Sequence, residues 1–169
     1  MQLQTNLASI AEVAIAKEKE NEDFKDFLQS KDAAAIDEIV HRLNTEISPK
    51  IDCTTCGNCC RSLMINVSDA EADNLANHLQ ISTADLKATY IEKGAGGLMI
   101  INQIPCHFLE GTKCSIYEHR FAGCRAFPHL DLPKFTSRLF STFMYYSMCP
   151  IIFNVVETLK TETGFTPQI

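Results

Sequence analysis

Tryptophan is absent from the 169 residues, and glycine and proline are scarce at seven and six. That scarcity excludes a collagen-like or low-complexity chain. Positive charge is also short: 15 Lys and Arg stand against 21 Asp and Glu, for a net charge of −6 and a pI near 5.3. A basic nucleic-acid footprint is therefore missing, and no nucleic-acid partner is expected. Long apolar runs are missing too. The most apolar stretch, Met148 to Val156, is too short to span a bilayer and is interrupted by Asn154. Met1 to Ala16 has no Lys or Arg ahead of its apolar positions and no uninterrupted apolar run, so no secretory signal is predicted. A cytoplasmic protein with no membrane partner is the expectation.

Several catalytic signatures are lacking as well. There is no G-x-S-x-G, no P-loop and no H-E-x-x-H. Gly94-Ala95-Gly96-Gly97 is an incomplete dinucleotide fingerprint without a βαβ context, and reads as a turn. No catalytic residue is assigned.

What is present is an apolar content of 46%, enough to exclude disorder, together with eight Cys. A chain of this length can bury a core without covalent staples. In a reducing compartment, eight Cys therefore read as metal ligands or redox groups rather than structural disulfides.

The first fifty residues contain no Cys and carry six Lys and Arg against ten Asp and Glu. Leu3, Leu7, Ile10 and Ala14 recur at four-three-four spacing, as do Ile36, Val40, Leu43 and Ile47. Each set makes an apolar stripe on one helix face. Phe24, Phe27 and Leu28 extend the first helix, and a break near Ser30 and the N-cap candidate Asp32 turns the chain back. Residues 1–49 thus read as an N-terminal helical hairpin, a candidate surface for a protein partner. Ser48-Pro49 ends it, and residues 50–169 read as a cysteine-cluster domain with a C-terminal helix.

Within that domain Ser68-Asp69-Ala70-Glu71 is a capping box opening a helix through Leu79, and Ser82 opens another that runs to Gly94. Leu98 to Gln103 and Cys106 to Leu109 read as short strands, with Glu110-Gly111-Thr112 turning Cys114 back toward Cys106. Phe135 to Met148 fits helix or strand. Pro150 to Thr163 reads as a helix, with Pro150 in its first position and Gly164 beyond its end. Cys149 then sits at the N-cap, where the helix dipole favours a thiolate. The predicted class is mainly α with a small β-hairpin, an α+β fold around a metal.

The chemistry lies in Cys53-Thr-Thr-Cys56-Gly-Asn-Cys59-Cys60, followed singly by Cys106, Cys114, Cys124 and Cys149. Two residues between sulfurs let one turn aim both at one centre, and Gly57 permits the backbone such a knuckle needs. Thiolates are soft donors, so the expected guest is zinc or an iron–sulfur cluster. Cys53, Cys56 and Cys59 match the first three ligands of a ferredoxin-type [4Fe–4S] site, with Cys149-Pro150 as a remote fourth. On that triplet the cluster is favoured over zinc. The zinc alternative pairs Cys106 and Cys114 through their hairpin and closes them on the N-terminal cysteines. The adjacent Cys59-Cys60 suggests two neighbouring centres, or one ligand beside one buried thiol. Arg61, Arg120 and Arg125 lie near cysteines and offset thiolate charge. His107, His119 and His129 are substitute-ligand candidates, though a hydrogen-bonding or surface role accounts better for each singly; Tyr117, Tyr145 and Tyr146 are candidates for chemistry near the centre, though core packing accounts for them better.

These blocks, with Pro105-Cys-His-Phe-Leu109, Gly111, Cys114-Ser-Ile-Tyr117, Arg120 and Cys124-Arg-Ala-Phe-Pro128, resemble the zinc- or iron-chelating CxxCxxCC domain, the YkgJ-type cysteine-cluster proteins. The resemblance covers roughly residues 50 to 150 and implies that all eight Cys form the chelating set. Two positions depart from it: Phe121 stands where the family usually has Pro, and His107 where Pro is common. A flagellin lysine N-methylase carries a similar cysteine block. The sequence expectation is thus a metal-binding protein, with a cluster-dependent redox or methylase-like enzyme and a metal storage or delivery protein as alternatives.

Overall fold

A computed structural model describes residues 2–167. By its internal packing the chain divides into two units: one takes residues up to Asp52 together with those from Pro128 onward, and the other is Cys53–Phe127.

The first unit is helical. Asn6 caps α1 (Leu7–Ala16) by accepting from the Ser9 N–H at 2.9 Å. The predicted single first helix is in fact two, because Lys17 leaves helical geometry (φ −102°, ψ 14°) before α2 (Glu18–Gln29). The break is matched by an electrostatic anchor: the Lys17 ammonium meets Glu157 at 2.5 Å and Glu20 at 3.4 Å. Leu3 precedes α1. There the chain is clipped by Asn154, which accepts from the Gln4 N–H and donates to the Gln4 carbonyl. Ser30 ends α2 by donating to the Phe27 carbonyl, and Asp32 caps α3 (Ala33–Ile47). The predicted stripe of Ile36, Val40, Leu43 and Ile47 is buried.

Of residues 135–148, ambiguous in sequence, most are helical: a 3-10 turn at Phe135–Arg138 leads into α8 (Leu139–Met144), and residues 145–148 form a turn. Asp37 on α3 accepts from the Lys134 and Phe135 N–H groups at 2.6 and 2.8 Å, which fixes where that turn begins. The terminal helix α9 (Pro150–Glu162) starts at Pro150 with Cys149 as N-cap, and packs on α3. Its Ile152, Val155, Val156 and Leu159 are fully buried. Lys160 is buried too, and holds Glu20, Asn21 and Glu157 at 2.7, 2.6 and 2.8 Å. Burial works to raise the Glu157 pKa. The hydrogen bonds from Lys160, Lys17 and Tyr146 outweigh it, so the carboxyl is held below its ordinary value.

The second unit has little regular structure. A single turn α4 (Cys53–Cys56) and a 3-10 turn at Cys59–Arg61 are followed by α5 (Asp69–Leu79), α6 (Thr83–Tyr90) and α7 (Ala122–Ala126). The Ser68–Glu71 capping box forms as the sequence predicts. The next helix stops at Tyr90 instead of Gly94. Its expected last turn is β1 (Ile91–Lys93), paired antiparallel with β2 (Met99–Ile101), because the strand ladder satisfies those backbone groups and buries Ile91 and Ile101. Similarly, Cys106 to Phe108 is a turn, and the hairpin strands are only β3 (Leu109–Glu110) and β4 (Lys113–Cys114). The core gathers Val67, Ala72, Leu75, Leu86, Phe108 and Phe121, with Cys106, Cys114 and Cys124 packed against it. The fold is mainly helical with two small antiparallel sheets. Among the described residues no helix is long and apolar enough to cross a membrane.

Candidate metal centre

The knuckle at Cys53–Cys60 is shaped by one glycine and one arginine. Gly57 donates to the Cys53 carbonyl and adopts φ +62°. A side chain there would put its Cβ 2.8 Å from the Thr112 carbonyl oxygen, so both backbone sign and space require glycine. Arg61 donates to the Cys56 carbonyl at 3.0 Å and to the Gly111 carbonyl at 2.7 Å. It ties the knuckle to the hairpin turn that presents Cys114. This clamp is a role the sequence reading missed, since a charge-offsetting arginine and a backbone clamp look alike in sequence. A second tie runs from the Cys106 N–H to the Cys60 carbonyl at 2.8 Å. Cys124 reaches the same neighbourhood from α7.

The result is a small apolar cavity of about 40 Å³, into which Cys59, Cys60, Cys106 and Cys124 face among Leu63, Ile65, Ile101, Phe121 and Phe127. Cys59 and Cys60 share a hydrogen bond. It favours the Cys59 thiolate, lowering that pKa to about 7, and holds the Cys60 thiol well above its ordinary value. Burial pushes Cys124 up to about 12, with the charges of Cys106, Cys59 and Cys114 adding to it. Cys106 and Cys114 are raised as well, chiefly by burial. Five sulfurs therefore feel one another: Cys59, Cys60, Cys106, Cys114 and Cys124. Even so, among the described residues no three His, Cys, Asp or Glu side chains stand ready as they are to hold a metal ion. The thiols converge without forming a finished cage.

The remaining candidates lie elsewhere in the chain. Cys53 is exposed and Cys56 half-buried on the knuckle, while Cys149 is buried in the helical unit at the start of α9. His107 is engaged with Asn102 at 2.6 Å and packs edge-on to Tyr90. His119 stacks on His78, with ring centres 3.7 Å apart. His129 belongs to the helical unit, where its carbonyl accepts from Arg138. The Tyr117 ring lies 3.8 Å beneath the Arg120 guanidinium, and Tyr146 is a core residue donating to Glu157. Arg120 also lowers the Cys114 pKa, though burial of that thiol outweighs it.

A family model matches residues 52–149, more than half of the chain, and its description is "Putative zinc- or iron-chelating domain". The chain belongs to the CxxCxxCC family. The family stretch takes in the whole cysteine unit and continues to Cys149. No curated protein and no solved structure matches the chain significantly. The family's description accords with the donor set: thiolates select zinc and iron over magnesium or calcium, and the apolar walls of the cavity leave the sulfurs as its polar groups.

Proposed function

We propose that the protein binds a metal through Cys59, Cys60, Cys106, Cys114 and Cys124, with the exposed Cys53 and the half-buried Cys56 completing the site when it closes and Cys149 as the eighth candidate donor. The observation that carries this reading is the convergence of four thiols, Cys59, Cys60, Cys106 and Cys124, from three separate chain segments on one apolar cavity, with Cys114 near enough for its charge to raise the pKa of Cys60 and Cys124. Buried thiols raised in pKa are costly to ionise, and a bound cation is what makes them thiolates. Metal binding is thus coupled to proton release and to closure of the unit.

A single zinc or iron ion is the first reading, since four thiols lining one small cavity match the four-coordinate sites that zinc takes. A cluster is the second reading, favoured by the C-x2-C-x2-C triplet of Cys53, Cys56 and Cys59. Anaerobic purification followed by metal and acid-labile sulfide analysis tests both. Stoichiometric zinc or iron without sulfide is the expected result, and iron with equal sulfide moves the assignment to the cluster. A protein that takes up no metal at neutral pH, with its thiols reduced, refutes both.

A further inference from the structure

The cysteine unit carries a second opening that no thiol lines. It has a volume of about 660 Å³, within the range of small-molecule pockets, and its walls include Glu71, Asn74, His78, His119, Arg120 and Arg125. Its charge runs against that of the chain. The protein carries −6 overall, yet two guanidinium groups face this cleft beside one carboxylate. That carboxylate is already spent: Glu71 accepts from the Ala122 N–H at 2.6 Å, the Ser68 N–H at 2.9 Å and the Ser68 hydroxyl at 2.7 Å.

The arginines are anchored on backbone carbonyls; Arg120 also lies over the Tyr117 ring, and Arg125 is near enough to Glu71 to help lower that carboxyl's pKa without a direct ion pair. Arg125 donates to the carbonyls of Arg120 and Glu118 at 2.9 and 3.0 Å, and Arg120 donates to the Tyr117 carbonyl at 2.5 Å. All three acceptors are uncharged. Among the described residues neither guanidinium makes an ion pair. A guanidinium has five N–H donors in a rigid fork suited to carboxylate and phosphate, and these anchors leave part of each fork unspent. Beside them, Asn74 and His78 on α5 and His119 add donors, and the stacked imidazoles form a flat wall.

We propose that this cleft binds a small metabolite through its carboxylate or phosphate group, with Arg120 and Arg125 as charge partners and His78 and Asn74 as further donors. The assignment does not rest on which metal the cysteines take. It does place the ligand next to them, since Phe121 lines both the cleft and the thiol cavity.

The test uses the full chain as purified and titrates it separately with inorganic phosphate and with succinate at constant ionic strength. The histidine ring signals are followed by NMR. A saturable shift of the His78 and His119 rings is expected with at least one anion, at a Kd of about 1 mM or tighter. The tighter of the two identifies the anion class. Arg125→Gln and His78→Ala should each weaken binding, the former by about tenfold. Asn77→Asp, which adds a negative charge to the same wall without removing an anchor, should weaken it too, and serves if Arg125→Gln disturbs the fold. Linear, unsaturated shifts with both anions, or wild-type affinity in His78→Ala and Asn77→Asp, would overturn the proposal.

Discussion

The two units bury their interiors by different means. In the helical unit, long helices present continuous apolar stripes, and the buried Lys160 is paired with Glu20 and Glu157. In the cysteine unit the strands are two or three residues long, and three cysteines pack on the wall of a smaller core. One unit closes on hydrocarbon; the other sets sulfur against a smaller apolar core. A region built from such short elements gains less from helix and sheet propagation, so a bound metal has more to contribute there.

The sharpest way to break the comparison is to take the metal away. Chelation should abolish slow amide exchange across Cys53–Phe127 while α3 and α9 keep theirs, because structural zinc can supply about 10 kcal/mol or more to a small unit. Equal protection in both units before and after chelation would remove the contrast. Conversely, Leu159→Ala should damage only the helical unit, by about 2–5 kcal/mol in chemical denaturation, since Leu159 is wholly buried. Metal stoichiometry should not change. Gly57→Ala should cost the cysteine unit about 1–3 kcal/mol, because φ is +62° and the new Cβ meets the Thr112 backbone at 2.8 Å. It should also weaken metal uptake, measured by competition with a chromophoric chelator.

The smallest effect is a pH dependence. Glu157 has a folded pKa below the unfolded value of 4.5, so its contribution to stability is complete above that value. It fades as pH falls through the folded pKa. Thermal melts of the helical unit should therefore drop more steeply below about pH 4.5 in the wild type than in Glu157→Gln. Parallel curves would show that the carboxylate adds nothing.

Local chemistry was legible in the sequence wherever one segment decides its own form. The Ser68–Glu71 cap, the stripe on α3, the Pro150 start of α9 and the turn at Gly111 all form as their residues predict. Boundaries were hidden at Lys17, Tyr90 and Cys106, because each depends on a partner outside its own segment: Glu157 for the first, β2 for the second and the Cys60 carbonyl for the third. The family was legible as a resemblance carried by the Cys53–Cys60 block and the ordered blocks around Cys106, Cys114 and Cys124. Spacing does not disclose which sulfurs meet, however. The hydrogen-bonded Cys59–Cys60 pair, the Arg61 clamp and the contact of Gly57 with Thr112 come from side chains and turns brought together by folding.

The order of the units along the chain has a consequence for synthesis. The helical unit is split, with its first part ending at Asp52 and its second beginning at Pro128. On the ribosome, every residue of the cysteine unit is therefore made before α9, and α3 must wait for its partner. A cysteine unit that folds first shortens the effective loop between α3 and α9, and so lowers the entropy cost of bringing them together. Metal supply during translation would then set the pace at which the helical core, where Cys149 is the candidate cysteine donor, is completed.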